Sequence, residues 1–361
     1  MKLIENYADV ARIAWQRHIY LYPLDEYSSI LSLHGMARLA VITDDAAILS
    51  EIKAHLQPFI EGKVEKVGGF YGEHVYRYGG NASAYMAAMG LMPEAVSILE
   101  RQAENLCRLQ SRDSRGIFDM PCGNWQDKSH GFLWIDTVFG VCPFLLWTGQ
   151  ASGRQEFIEE SCFQMLKHYD ILFDKTCNLY HQAINFGMPP DTVTPAHWSR
   201  GNGWAAIALT EMVYDLPREH QSYGRILTAY HELIEGCAVC FDDSGMLHQA
   251  MEDHSTYPET SGTALVLYAI GRGLKNGLLD KDKYIDMFLK GLKGLLGYIS
   301  VDGSVFNCCS GCCAPGNGTV DDYAAHSWKL NDHHAFGPVI LAFGQAQQLY
   351  NADKIPALNK L

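Results

Sequence analysis

Phe173-Asp174-Lys175-Thr176-Cys177-Asn178-Leu179-Tyr180-His181-Gln182-Ala183 returns, one residue shorter, as Phe241-Asp242-Asp243-Ser244-Gly245-Met246-Leu247-His248-Gln249-Ala250, with the His-Gln-Ala ends 67 residues apart. Arg112-Asp113-Ser114-Arg115-Gly116-Ile117-Phe118 and Val301-Asp302-Gly303-Ser304-Val305-Phe306 are weaker copies. Each reads as a helix end, a tight turn built on Asp with Gly or Asn, and a short extended piece. A polar tip and then an apolar helix follow each copy, near 130–149, 198–216, 257–274 and 332–349. Two more such helices fit near 27–43 and 78–92. All six are rich in small and branched residues around the whole circumference, the mark of a helix packed on several sides.

Between them lie helices with one charged face, about 2–20, 44–61, 93–110, 151–173, 218–241 and 280–299. In Arg154 to Leu166, apolar residues recur at helical spacing with acids between them. Six outer and six inner helices in strict alternation predict an all-α (α/α)6 barrel, one domain over residues 1–361. An open solenoid of the same hairpins is the alternative. The closed ring is preferred because six pairs complete it and no polar capping repeat appears.

The composition is globular: 48% apolar and 19% charged over 361 residues. A net charge of −13 and the absence of a basic stripe argue against a nucleic-acid partner. No uncharged run approaches membrane length, and the N-terminus lacks the apolar run of a signal peptide. Eleven scattered cysteines suit reduced thiols, so a cytoplasmic setting is expected. The oligomeric state is not legible.

Such a barrel gathers inner-helix N-termini, with their unpaired N–H groups and positive dipole ends, at one mouth. That mouth should collect Asn81, Asp136, His181, Trp198, Arg200, Trp204, Glu259, Ser261, Thr319, Asp322 and His333 or His334. Asp136 stands in the apolar run Gly131 to Val141, where burial should raise its pKa and suit it to general acid work. A helix cap is the plainer reading of the same residue. Arg200 and His181 fit a substrate carboxylate, although His248 repeats the position of His181 and suggests turn closure. Trp198 and Trp204 suit sugar stacking or core packing. Glu259 reads as a second acid, or as part of an ordinary helix start in Glu259-Thr260-Ser261-Gly262. Cys308-Cys309-Ser310-Gly311-Cys312-Cys313 invites a zinc reading, but adjacent cysteines make a poor tetrahedral clamp. Neither a metal nor a cofactor is expected, and the Gly-rich stretch after it lacks the Lys of a P-loop.

Trp134-Ile135-Asp136-Thr137, Tyr180-His181, Trp198-Ser199-Arg200-Gly201-Asn202-Gly203-Trp204, Glu259 to Ala264 and Asn331 to Pro338 together resemble the unsaturated rhamnogalacturonyl hydrolases of glycoside hydrolase family 105. These are related to the unsaturated glucuronyl hydrolases of family 88. The resemblance runs from about residue 110 to 349. It implies a six-hairpin barrel and an acidic oligosaccharide substrate capped by an unsaturated uronic acid. It also implies that Asp136 protonates the C4=C5 vinyl ether. Asn81, His181, Trp198, Arg200, Trp204, Glu259 and His334 would line the sugar site. Two departures stand out. Asn81 occupies the place of a second family Asp, and Trp125-Gln126-Asp127 lacks a family His. A saturated glucuronide as substrate is therefore a rival reading. Others are an epimerase or isomerase using His181 and His248, and a carbohydrate-binding barrel without activity.

Overall fold

The computed structural model describes residues 4–24, 29–63, 80–119, 132–185, 191–313 and 317–361. Outer helices are α1 (Tyr7–Leu21), α3 (Ala46–Ile60), α5 (Val96–Leu109), α7 (Gln155–Leu172), α9 (Tyr223–Ala238) and α11 (Lys281–Leu296). Inner helices are α2 (Ser29–Thr43), α4 (Gly80–Ala88), α6 (Thr137–Ser152), α8 (Ser199–Asp215), α10 (Thr260–Asn276) and α13 (Phe336–Asn351). A short α12 (Val320–Ala325) lies in the long loop before α13. Six two-residue strands pair as antiparallel ribbons: β1 (Leu133–Trp134) with β4 (Ala183–Ile184), β2 (Phe173–Asp174) with β3 (Leu179–Tyr180), and β5 (Cys308–Cys309) with β6 (Trp328–Lys329).

The inner helices contact one another in the order α2, α4, α6, α8, α10, α13, and α13 returns to α2. The ring is closed, which is the (α/α)6 barrel and not the solenoid. The outer helices pack against it from outside, and one apolar cluster runs through all twelve. Their compositions explain the layering. In α8 every residue from Ser199 to Val213 is buried, whereas α11 buries only Tyr284, Phe288, Gly291, Leu292 and Leu295, one stripe of its circumference.

The hairpin repeat has a common physical cause. Asp113, Asp174, Asp242 and Asp302 each accept the backbone N–H two residues on, from Arg115, Thr176, Ser244 and Ser304 at 2.8–3.0 Å. This Asx turn reverses the chain after an outer helix and sends it toward the mouth. Centred in the C-terminal halves of the inner helices, away from the mouth, a buried ionic cluster crosses the ring. The Glu211 carboxylate of α8 accepts from Arg38 of α2, Arg272 and Tyr268 of α10, and lies 3.2 Å from His34 Nε2. Despite complete burial, the two guanidiniums hold Glu211 well below the ordinary carboxylate range.

Three inner helices start three or more residues later than the sequence expectation, and the outer α1, α7 and α9 start four or five residues later. α6 opens at Thr137 and not near 130, because the bulky Leu133-Trp134 pairs with the next hairpin as a strand. α10 opens at Thr260 and α13 at Phe336. All three shifts put chemistry-bearing residues just ahead of a helix: Asp136, Glu259, and Asp332 to His334. The stretches 78–79 and 125–127 lie outside the described residues.

The closing seam is tight. A methyl group on Gly337 would stand 2.6 Å from Leu31 Cβ and 2.8 Å from the backbone of α2, whereas one on Gly344 would meet Leu39 Cδ1 at 3.7 Å. Gly337→Ala should therefore push α13 off α2 and cost about 1–3 kcal/mol. Gly344→Ala should be neutral or gain up to about 1 kcal/mol from helix propensity. Urea unfolding of both variants reads the difference, and equal effects would contradict the packing described.

Candidate active site

The mouth is assembled by the starts of α6, α8 and α10 and by the loop carrying β5. Gly262 allows the closest approach, since a Cβ there would sit 2.5 Å from the Ser199 carbonyl carbon. Gly201 packs against Trp198 and Ile135, where a Cβ would meet Ile135 Cγ2 at 3.2 Å. These contacts bring Arg200, the second residue of α8, beside Asp136, the residue preceding α6.

Asp136 occupies the N-cap position of α6 yet makes no side-chain cap hydrogen bond. An Asp there ordinarily accepts from the first turn. Here Oδ2 is buried without a hydrogen-bond partner, and the residue is 8% exposed. Burial raises its pKa to about 6, with the Arg200 charge pulling the other way. A carboxyl in this state keeps its proton up to about pH 6, well above the ordinary carboxylate range, and has an oxygen free to deliver it.

Arg200 is buried. Its Nη1 donates to the Cys309 carbonyl at 2.7 Å and lies 3.4 Å from Ser261 Oγ, while Nε has no partner. Its guanidinium sits 4.7 Å over the Trp198 ring, and Tyr323 stacks on the same indole at 6.2 Å. Trp204 stacks on Phe139 at 5.3 Å, one helical turn below both Arg200 and Asp136. Both tryptophans are buried, and each has an indole N–H without a partner. Protein groups already lie against their rings, so what they present is the indole N–H more than an open stacking face. Asn81 donates to the Phe139 carbonyl at 3.0 Å and leaves its own Oδ1 unpartnered.

Asp332 and His334 complete the wall. His334 Nδ1 lies 2.7 Å from Asp332 Oδ1. Burial, with the Arg200 charge, lowers the His334 pKa to about 3. Although burial opposes it, Asp332 is held at about 2 by its bond to His334 and by the His334 and Arg200 charges.

Two expected site residues are engaged elsewhere. Glu259 caps α10: its carboxylate accepts from Ser261 N and Oγ, Gly262 N, Ser199 Oγ and Cys309 N. Five donors leave no oxygen for acid catalysis or for a ligand. His181 points its Nδ1 at the Thr194 carbonyl, 2.7 Å away, and its Nε2 at Asp174, 3.7 Å away, with its ring 4.7 Å from that of His197. No described contact joins it to Asp136 or Arg200. Its neighbour Gln182 takes the opposite side of the extended piece, accepts from Tyr323 and keeps an unpartnered Nε2. The His248 counterpart closes onto Asp242 at 2.9 Å, as the turn reading held.

Gln182 and Tyr323 carry no local sequence signal, while Asp332 and Cys312 stand in motifs the sequence brings out without a role for either residue. Burial pushes the Cys312 thiol up to about 12, and the Asp136 charge adds to that. Thr319 and Asp322 form the capping box of α12, which sets Tyr323 against Trp198.

The family model for Glycosyl Hydrolase Family 88 matches residues 4–350. The unsaturated rhamnogalacturonyl hydrolase YesR of Bacillus subtilis (strain 168) is 27% identical over 173 residues, which are 48% of this chain and 48% of that protein. An unsaturated 3S-rhamnoglycuronyl hydrolase of Alteromonas sp. (strain LOR) is 25% identical over 198 residues, 54% of this chain and 47% of that one. These matches span about half the length of the curated relatives. A possible member of the GH105 family from Klebsiella pneumoniae subsp. pneumoniae MGH 78578 has a similar fold, with a TM-score of 0.81 over 97% of this chain and 95% of that one, at 21% identity. Matched along nearly its whole length, the chain belongs to Glycosyl Hydrolase Family 88.

Proposed function

We propose that the protein releases a terminal unsaturated uronic acid from lyase-generated, pectin-type oligosaccharides by hydrating the C4=C5 vinyl ether. The observation that carries this is Asp136: a buried carboxyl with an unpartnered oxygen, its pKa raised to about 6, within the charge influence of a buried arginine with an idle N–H. The names of the two curated relatives support the substrate class. In this reading the Asp136 proton goes to C4, and water adds to the resulting cation at C5, returning its proton to Asp136. The hemiketal then opens, and the anomeric carbon sheds the sugar behind it. Arg200 holds the uronate carboxylate, with Trp198, Trp204, Asn81 and His334 as further wall groups. His181 and Glu259 support this wall from behind. Water is the sole co-reactant. The free thiols of the described cysteines support a reducing, cytoplasmic setting, and no described helix is long and apolar enough to cross a membrane.

Incubation with lyase-generated oligosaccharides should erase the ultraviolet absorbance of the vinyl ether. Asp136→Asn should slow this by about 10²–10⁴-fold. Persistent absorbance with release of a saturated uronic acid would instead establish the glucuronide reading that Asn81 motivates. Arg200→Lys, which loses the planar fork, should lower kcat/KM by about ten- to a hundredfold, mainly through KM.

The same acid carries a stability cost. Between about pH 4 and 6, Asp136 is protonated in the folded chain and ionised in the unfolded one, so stability falls as pH rises through that window. Holding the carboxyl at about 6 instead of 3.8 is worth about 3 kcal/mol above the window. Asp136→Asn should therefore be more stable than the parent in urea at pH 8, by up to that amount, and no more stable at pH 4. A variant less stable at pH 8 would contradict the burial cost assigned to Asp136.

A further inference from the structure

The fourth and fifth hairpins build similar Asp–His pairs, and the difference between them is informative. In the fifth, Asp242 Oδ2 meets His248 Nε2 directly at 2.9 Å. A second imidazole, His254, stacks on His248 at 4.7 Å but turns its Nε2 to the Cys240 carbonyl at 3.1 Å. In the fourth hairpin the second imidazole is His197, and it faces inward. Asp174 Oδ2 stands 3.7 Å from His181 Nε2 and 3.6 Å from His197 Nε2. Cys177 Sγ stands 3.6 Å from the same His197 nitrogen. These separations are too long for strong hydrogen bonds.

They do suit an ion between the groups. Ligands about 2.0–2.1 Å (N, O) from a tetrahedral zinc stand about 3.3 Å (N to O) apart. The outer contacts are those of metal-binding histidines. His181 Nδ1 donates to the Thr194 carbonyl at 2.7 Å, and His197 Nδ1 faces Glu252 Oε1 at 3.4 Å. A carbonyl and a carboxylate can only accept, so both protons sit on Nδ1 and both Nε2 lone pairs turn inward. Asp174 spends Oδ1 on Thr176 and keeps Oδ2 for the centre. An open cleft lined by Asp174, Cys177, His197, Glu235 and Glu252 leads to the cluster, so an ion has a path in. Two imidazoles and a carboxylate favour zinc over a hard cation.

We propose that Asp174, His181 and His197, whose ligand atoms all lie within 4.8 Å of one another, form a zinc site. The ion joins the hairpin of β2 and β3 to the segment that feeds α8, binding one residue before Trp198 and three before Arg200. Its role is positioning: it holds the wall of the sugar site from behind. Three protein ligands leave the fourth position to water.

The test is metal binding by the chelator-stripped full chain, independent of any sugar chemistry. Calorimetric titration with zinc should give one tight site per chain. Cobalt(II) in its place should bind without a thiolate-to-cobalt charge-transfer band. The double variant His181→Gln, His197→Gln should lose the site, with far-ultraviolet circular dichroism checking its fold. Glu252→Gln, which touches only the outer contact, should weaken zinc about ten- to a hundredfold. His248→Gln in the sister hairpin should leave binding unchanged. Failure to take up zinc, a charge-transfer band that puts the ion on thiolates, or zinc retained by the double variant on Asp332-His333-His334, overturns the proposal.

Discussion

Burying a carboxylate costs several kcal/mol unless donors surround it, and three of the buried acids here, Glu211, Glu259 and Asp136, meet that cost in different ways. Glu211 has two guanidiniums, a phenol and an imidazole. Glu259 has five donors drawn from α8, α10 and the β5 strand. Asp136 has an oxygen with none. The first two are stabilised as anions and hold helices together. The third is relieved by keeping its proton. The same penalty that makes Glu211 and Glu259 structural leaves Asp136 with a raised pKa, and the difference lies in how many N–H and O–H groups the fold aims at each.

The site depends on this division of labour. Glu259 ties Ser199 to Cys309, and the Cys309 carbonyl then holds Arg200 Nη1 at 2.7 Å. With that hand fixed, the arginine lies against Trp198 with its Nε unspent. A guanidinium anchored on one side loses less freedom when it grips a ligand on the other. Its charge also acts on Asp136, but only as the smaller influence beside burial. A stronger pairing would hold the acid ionised and remove its proton from use.

How far the sequence carries is clear at particular residues. The ring was legible because alternating helix faces and the Asp turns are local patterns, each set by contacts within a few residues. Asp136 and Arg200 were legible because a charge in an apolar run, or ahead of one, has few harmless explanations. His181 was not, because extended chain alternates sides: one residue decides whether His181 or Gln182 faces the mouth, and the β1–β4 pairing that settles it joins segments 50 residues apart. Glu259 was ambiguous for a different reason. Its donors include Ser199 and Cys309, distant in sequence, and only the fold counts them. The Tyr323 to Gln182 bond spans 141 residues, and no local pattern announces it.

Asn81 marks where this chain parts from the pattern it otherwise resembles. A carboxylate at that place would repel the Asp136 anion and add to its raised pKa. An amide exerts no such push, so burial is what raises the acid's pKa, to about 6. The amide also does something a carboxylate cannot: it donates to the Phe139 carbonyl, one turn along α6 from Asp136. Phe139 in turn carries the stacked Trp204. The substitution thus exchanges an electrostatic influence on the acid for a mechanical one, tying α4 to the helix whose first turn lies directly below Asp136. It leaves a bare Oδ1 at the site, a group that accepts a hydrogen bond from a sugar hydroxyl and has no proton of its own to contribute.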